Sequence, residues 1–247
     1  MMKEVILKKL REIETQENVT ILFAVESGSR AWGFESKDSD YDVRFIYIRQ
    51  LEDYLSLKPM SDIINYELNE VFDINGWDLK KALRLLYKSN PTLYEWYNSP
   101  LVYKKTEEWQ LVDLAFQYYF DIQKAIHHYY HMSNQAFLKR KTLKHYFYCL
   151  RTLLSCLWII RYQTPPPIEF TKLIFILPDN LQNIINEMLI LKKTQNEHYY
   201  INSYSVLDLY IEEQLLKIKT HLSKTQNKFS YDLLNQTFIS ILKALSK

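Results

Sequence analysis

Only three glycines, Gly28, Gly33 and Gly76, punctuate this chain of 247 residues. Average usage of about 7% would give roughly 17. Backbone that must turn left-handed, or admit a close neighbour, is therefore confined to few places. Two of the three glycines fall in the run Glu26 to Ile48, and the third lies just past Asp73. That run is where the chain is under the tightest local constraint.

Its chemistry follows from residue order. Val19-Thr-Ile-Leu-Phe-Ala-Val25 is apolar and rich in β-branched residues, so it reads as a buried strand. Gly28-Ser29 then permits a tight turn, with a hydroxyl and free N–H groups at a helix start, which is a phosphate cradle. Tyr41 to Ile48 reads as a second buried strand, opened by Asp40 and Asp42. Residues two apart on a strand share a face, so both carboxylates can reach one site. Paired acids repel unless a cation balances them. Magnesium takes hard oxygen ligands and shares them with substrate phosphates. Asp-x-Asp pairs also occur in ordinary polar loops, and Lys37-Asp38-Ser39 makes this stretch polar. The Gly-Ser turn at this spacing and the flanking strands favour the site.

These residues carry a resemblance. Gly28-Ser-Arg-Ala-Trp-Gly33 followed by Ser39-Asp-Tyr-Asp-Val-Arg44 resembles the nucleotidyltransferase superfamily with a polymerase-β-like core. Within it the chain looks like the bacterial YcgL-type predicted nucleotidyltransferases, related to RNA-repair-associated polymerase-β-like proteins. Asp73 to Lys81, Ser89 to Trp96, Tyr148 to Arg151 and the Pro165–Pro167 run fit the same pattern. The match is specific over residues 26–48 and looser beyond residue 105. The resemblance implies a nucleoside triphosphate substrate, two magnesium ions (manganese being a substitute) and nucleotidyl transfer. It implies that Asp40 and Asp42 bridge the metals and that a third carboxylate comes from a later strand. Asp73 is the choice for that acid, as a metal ligand and as acceptor of the attacking hydroxyl's proton. Glu70 and Asp78 are the alternatives, although Asp78 suits the first turn of a helix, where an acid favours the dipole. Gly28, Ser29, Arg30, Arg44 and Lys81 are the expected nucleotide-binding residues, Lys81 through the family pattern.

The expected fold is α+β: a polymerase-β-like core of mixed sheet and helices over residues 1–103, then an all-α helical bundle over 104–247, with a cleft between them. A first helix spans about Lys3 to Glu17, with Ile6, Leu10 and Ile13 on one face. A further strand is expected near Asp62 to Leu68, and a helix over Gly76 to Lys88 that Asn90-Pro91 stops. Later, Leu111 to Tyr129, Leu143 to Leu157, Leu207 to Ile218 and Tyr231 to Leu245 keep helical spacing.

Composition narrows the setting. A net charge of +2 and a pI near 8.3 give no global polyanion footprint. Cys149 and Cys156 lie in an apolar helical pattern and read as reduced core thiols. No segment reaches the ~20 apolar residues of a membrane span. With no signal peptide recognised, a cytoplasmic location without membrane partners is expected. Lys80, Lys81, Arg84 and Lys88 share one helix; such a stripe is a solvated face or a contact for triphosphate or nucleic-acid backbone. His127 and His131 have the spacing of zinc ligands, but no third ligand completes a motif, so they read as a polar helix face. Tyr146, Tyr148 and Arg151 suit either aromatic packing or base stacking. The acceptor expected is an RNA end. The alternatives are a protein hydroxyl, as in toxin–antitoxin AMP transfer, or a non-catalytic nucleotide sensor.

Overall fold

The computed structural model describes residues 2–194, 199–200, 204–224 and 229–245. In chain order the first elements are α1 (Met2–Glu17), β1 (Val19–Glu26), α2 (Gly28–Trp32), β2 (Tyr41–Arg49), α3 (Leu51–Leu55), β3 (Ile63–Leu68), β4 (Phe72–Asp78), α4 (Leu79–Tyr87), α5 (Pro91–Tyr97) and β5 (Val102–Lys105). A short 3-10 turn, Glu108–Val112, leads into α6 (Asp113–Tyr118), α7 (Ile122–Leu138), α8 (Leu143–Tyr162), α9 (Phe170–Ile174), α10 (Asp179–Thr194), α11 (Ser205–His221) and α12 (Asp232–Leu245). The expected α+β organisation, a mixed sheet with helices and then a helical region, is what the chain forms.

The described residues fall into two compact units. The first draws on residues 1–28, 40–120 and 228–247, and the second on 29–39 and 121–227. The chain is thus not cut once near residue 103. It leaves the first unit after Gly28, returns at Asp40, leaves again after Phe120, and comes back with α12.

The first unit is built on a five-stranded sheet in the order β3-β4-β2-β1-β5. All neighbours are antiparallel except β2 and β4, which run parallel with Asp42 level with Asp73 and Tyr47 level with Asp78. Alternation along the strands makes two cores. Val43, Phe45 and Tyr47 of β2, with Phe72 and Ile74 of β4, pack under Ile6, Leu10 and Ile13 of α1. Ile46 and Ile48 face the opposite way, toward Leu79, Leu83 and Leu86 of α4 and Leu234 and Ile241 of α12.

Two details correct the reading from sequence. Gly76 does not open a helix but lies inside β4, where a Cβ would sit 2.2 Å from the Phe45 ring on the neighbouring strand. A glycine there marks close approach, not a turn. The helix begins only after Asp78, whose carboxylate caps it by accepting from the Lys80 N–H at 2.7 Å. Likewise, the continuous spacing from Leu111 to Tyr129 is divided. Asp121 caps a fresh helix, α7, by accepting from the Lys124 N–H at 3.0 Å.

The second unit is helical. Its centre is α8, with twelve buried residues, including Cys149 and Cys156, both free thiols. Burial raises both thiols well above their usual range, Cys149 to about 12. Gln163, at φ 59°, ends α8 in the left-handed conformation, and Pro165 to Pro167 follow. Among the described residues no helix is long and apolar enough to cross a membrane.

Candidate active site

The N-terminal ends of the parallel pair β2 and β4 carry the acids. Asp42 is the second residue of β2 and Asp73 the second of β4, and the parallel register sets them side by side. Both face away from α1, because Val43 and Ile74 beside them fill the α1 core. Arg44, two residues along the same face, joins them. Its Nη2 donates to Asp42 Oδ1 at 2.9 Å and to Asp73 Oδ2 at 2.6 Å, and its Nη1 donates to the Asp73 carbonyl at 2.6 Å. Two neighbouring carboxylates are thereby balanced by one guanidinium, whose planar fork suits such bridging.

Gly28 is required by Asp42. A Cβ on Gly28 would lie 1.8 Å from Asp42 Oδ2, and the backbone there has φ +62°. The clash requires Asp42 to move and the left-handed backbone adds a cost for any side chain, so glycine is strongly favoured at this position. Glu26, fully buried at the end of β1, fixes Asp42 from behind. Its Oε1 accepts from the Asp42 N–H at 2.9 Å, while its Oε2 accepts from the Tyr103 hydroxyl. The Ser27 N–H also donates to the Asp42 carbonyl at 2.8 Å. Glu26 was not among the expected site residues. The available signal was an acid closing an otherwise apolar strand.

The other expected residues are distributed as follows. Asp40 is half-buried, two residues ahead of Asp42 and just before β2 begins. Among the described residues no three His, Cys, Asp or Glu side chains are gathered as a set able to hold a metal ion. Of the alternatives for the third acid, Glu70 is exposed in the β3–β4 turn, and Asp78 is the cap of α4 at the opposite end of β4 from Asp73. Lys81 also lies beyond that opposite end, on α4, where its Nζ pairs with Asp62 at 3.0 Å. The structure does not bring it to Asp42 and Asp73.

Ser29 and Arg30 belong to the second unit. The Ser29 hydroxyl donates to Ser39 Oγ at 3.1 Å, and Arg30 Nη2 donates to the Ser39 carbonyl at 2.6 Å. Ser39 Oγ also accepts from the Ser36 N–H at 2.9 Å, so these serines close the segment 29–39 upon itself. Trp32 and Phe34 anchor it. The Arg151 guanidinium stands 3.9 Å over the Trp32 ring, Tyr148 meets Trp32 edge-on at 5.3 Å, and Phe147 stacks on Phe34 at 5.1 Å. Tyr148 and Arg151 therefore hold this segment. Tyr146 is committed elsewhere, donating to Asp208 Oδ1 at 2.8 Å. His127 Nε2 lies 2.7 Å from the Ser223 carbonyl, which fits a polar helix face.

The mixed sheet with its parallel β2–β4 pair, followed by a helical region, agrees with a polymerase-β-like core. The family described as the RNA repair pathway DNA polymerase beta family (RlaP) matches residues 2–240, and the chain belongs to it. It is also 44% identical over 179 residues to an uncharacterized protein, YcgL, of Bacillus subtilis (strain 168), covering 70% of this chain and 68% of that protein.

Proposed function

We propose that the chain is a metal-dependent nucleotidyltransferase that moves a nucleoside monophosphate from a triphosphate to a hydroxyl, with an RNA end as acceptor. The observation that carries this reading is the Asp42–Arg44–Asp73 arrangement in parallel register. Two level carboxylates offer hard oxygens, and magnesium is commonly held by one or two carboxylates with substrate phosphates completing its shell. That donor set fits the metal. Asp40 and Asp42, the pair of the family pattern, and Asp73 as the third acid would hold it, and the metal would supply charge stabilisation for the attacking and leaving oxygens.

The chain's own residues then have distinct tasks. Asp73 accepts the proton of the acceptor hydroxyl as its oxygen attacks the α-phosphorus in line. The new bond is oxygen to α-phosphorus, the bond broken joins that phosphorus to the bridging oxygen, and pyrophosphate departs with the electron pair. Arg44, which bridges the two carboxylates, would offer its charge to a phosphate bound beside them. Gly28, Ser29 and Arg30 take the β- and γ-phosphates by the family pattern. Glu26 keeps Asp42 in place. The RNA acceptor is supported by the RNA-repair description of the family. Incubating the protein with each α-labelled triphosphate, magnesium and either RNA or cell protein tests the assignment. Label in RNA is the expected result, label in protein would replace the acceptor, and no label in either would remove the transferase reading.

A further inference from the structure

The C-terminal ends of the same two strands carry a different site. A cavity of about 380 Å³ opens there, lined among others by Arg49, Tyr54, Asp78, Lys80, Lys81 and Arg84. Arg49, the last residue of β2, is only 5% exposed. Its Nε has no hydrogen-bond partner. Its terminal nitrogens reach the carbonyls of Glu17 at 3.4 Å and Ser61 at 3.5 Å, both long contacts, and the guanidinium lies over the Tyr47 ring at 5.2 Å and interacts with the Tyr47 hydroxyl. A buried guanidinium held this loosely is short of acceptors, and leaving such donors unmet is costly. None of the three acids in the wall, Asp53, Asp62 and Asp78, forms an ion pair or hydrogen bond with Arg49 among the described residues. Asp62 is paired with Lys81, and Asp78 accepts from the Tyr54 hydroxyl at 2.7 Å and from the Lys80 N–H. Lys80 and Arg84 are exposed, and among the described residues neither side chain forms an ion pair.

A second cavity, about 320 Å³, adjoins the first and shares Lys80 and Arg84 with it. Its other walls are apolar and aromatic: Leu83, Tyr231, Leu234 and Phe238, with the Asn235 amide among them. A pocket with four cations against three carboxylates thus runs into an aromatic one that offers a stacking face and an amide.

We propose that this pair of cavities is a second nucleotide site, separate from Asp42 and Asp73, with a phosphate in the Arg49–Lys80–Arg84 pocket and a base in the Tyr231–Phe238 groove. The phosphate is a free nucleotide's or one in an RNA strand. The site stands whether or not the carboxylate end transfers nucleotides. Binding is measured with EDTA present in the Ser29→Ala, Asp42→Asn background, which silences the other phosphate site. The probes are 5′-AMP, adenosine, and a short single-stranded RNA with and without its 5′-phosphate. AMP or RNA should bind and adenosine should not. AMP binding without RNA binding assigns the site to free nucleotides, and the reverse assigns it to a strand. Lys80→Ala with Arg84→Ala, two exposed changes that spare the core, should weaken binding by about tenfold or more. Tyr231→Ala should weaken AMP but leave inorganic phosphate unchanged. Equal binding of adenosine and AMP, no binding at millimolar ligand, or indifference to Lys80→Ala and Arg84→Ala would each overturn the proposal.

Discussion

The two ends of the β2–β4 pair differ in how their charges are balanced. At the N-terminal end two carboxylates share one arginine, all three held by short hydrogen bonds. At the C-terminal end one buried arginine has long carbonyl contacts and the Tyr47 side chain, and among the described residues the two exposed cations beside it, Lys80 and Arg84, form no ion pair. The first end is satisfied without a ligand, and under the proposed function a cation there would replace part of the arginine's grip. The second is unsatisfied and invites an anion. One parallel register therefore presents opposite charge requirements roughly 16 Å apart, since five residues of extended strand separate Asp73 from Asp78.

The largest effect that would break this comparison is on turnover. Asp42→Asn keeps the shape but removes the charge of the proposed metal ligand, one of the two carboxylates that Arg44 bridges. Nucleotidyl transfer should fall by at least about 100-fold with folding unchanged. Lys80→Ala should leave single-turnover chemistry within about twofold, as expected of an exposed residue outside the reacting centre. If the two changes cost the same, the ends do not differ as described.

Gly28→Ala tests how tightly the acid end is built. The left-handed backbone and the clash with Asp42 together should cost roughly 2–5 kcal/mol. Chemical denaturation reads this directly. A loss below about 0.5 kcal/mol, the usual range for surface changes, would mean that the strand ends adjust freely.

The smallest effect concerns Asp78. Burial raises its pKa above the ordinary 3.8, against the lowering effects of the Tyr54 hydroxyl, the Lys80 N–H and Arg49. A raised folded pKa means that the folded state binds more protons between the ordinary and the raised value. Stability from this group is therefore present at low pH and declines as pH rises through that window. Asp78→Asn keeps a good helix cap but removes the titration. The stability of the variant relative to wild type should improve as pH rises from about 4 toward neutrality. Parallel stability curves would show that Asp78 does not carry strain at the basic end.

The sequence made the acid end legible because its parts are local. An apolar β-branched run, a glycine turn and an alternating acid pair lie within 24 residues, and α1 shows its buried Ile6, Leu10 and Ile13 through spacing alone. Other features depend on partners far along the chain. Gly76 resembles a helix boundary until Phe45 is known to press on it. β5 is an edge strand with no buried residue, so no apolar signal announces it. α10 buries Leu181, Ile185 and Met188 among polar residues and was not anticipated. The grouping of residues 29–39 with the helical unit rests on Trp32 and Phe34 meeting side chains more than a hundred positions later. The cavity around Arg49 joins two separate stretches of the first unit, 49–62 and 78–84, and the unpartnered Arg49 Nε is visible only once they meet.

The central claim is that the metal and the triphosphate meet at Asp42 and Asp73. Manganese binding in the presence of a non-hydrolysable triphosphate, followed by electron paramagnetic resonance, tests it most directly. In the Lys80→Ala, Arg84→Ala background, which weakens the second site, the manganese–triphosphate complex should be immobilised on the protein, and adding Asp42→Asn with Asp73→Asn should leave that complex tumbling freely in solution. Undiminished immobilisation by the variant lacking both carboxylates would contradict the account.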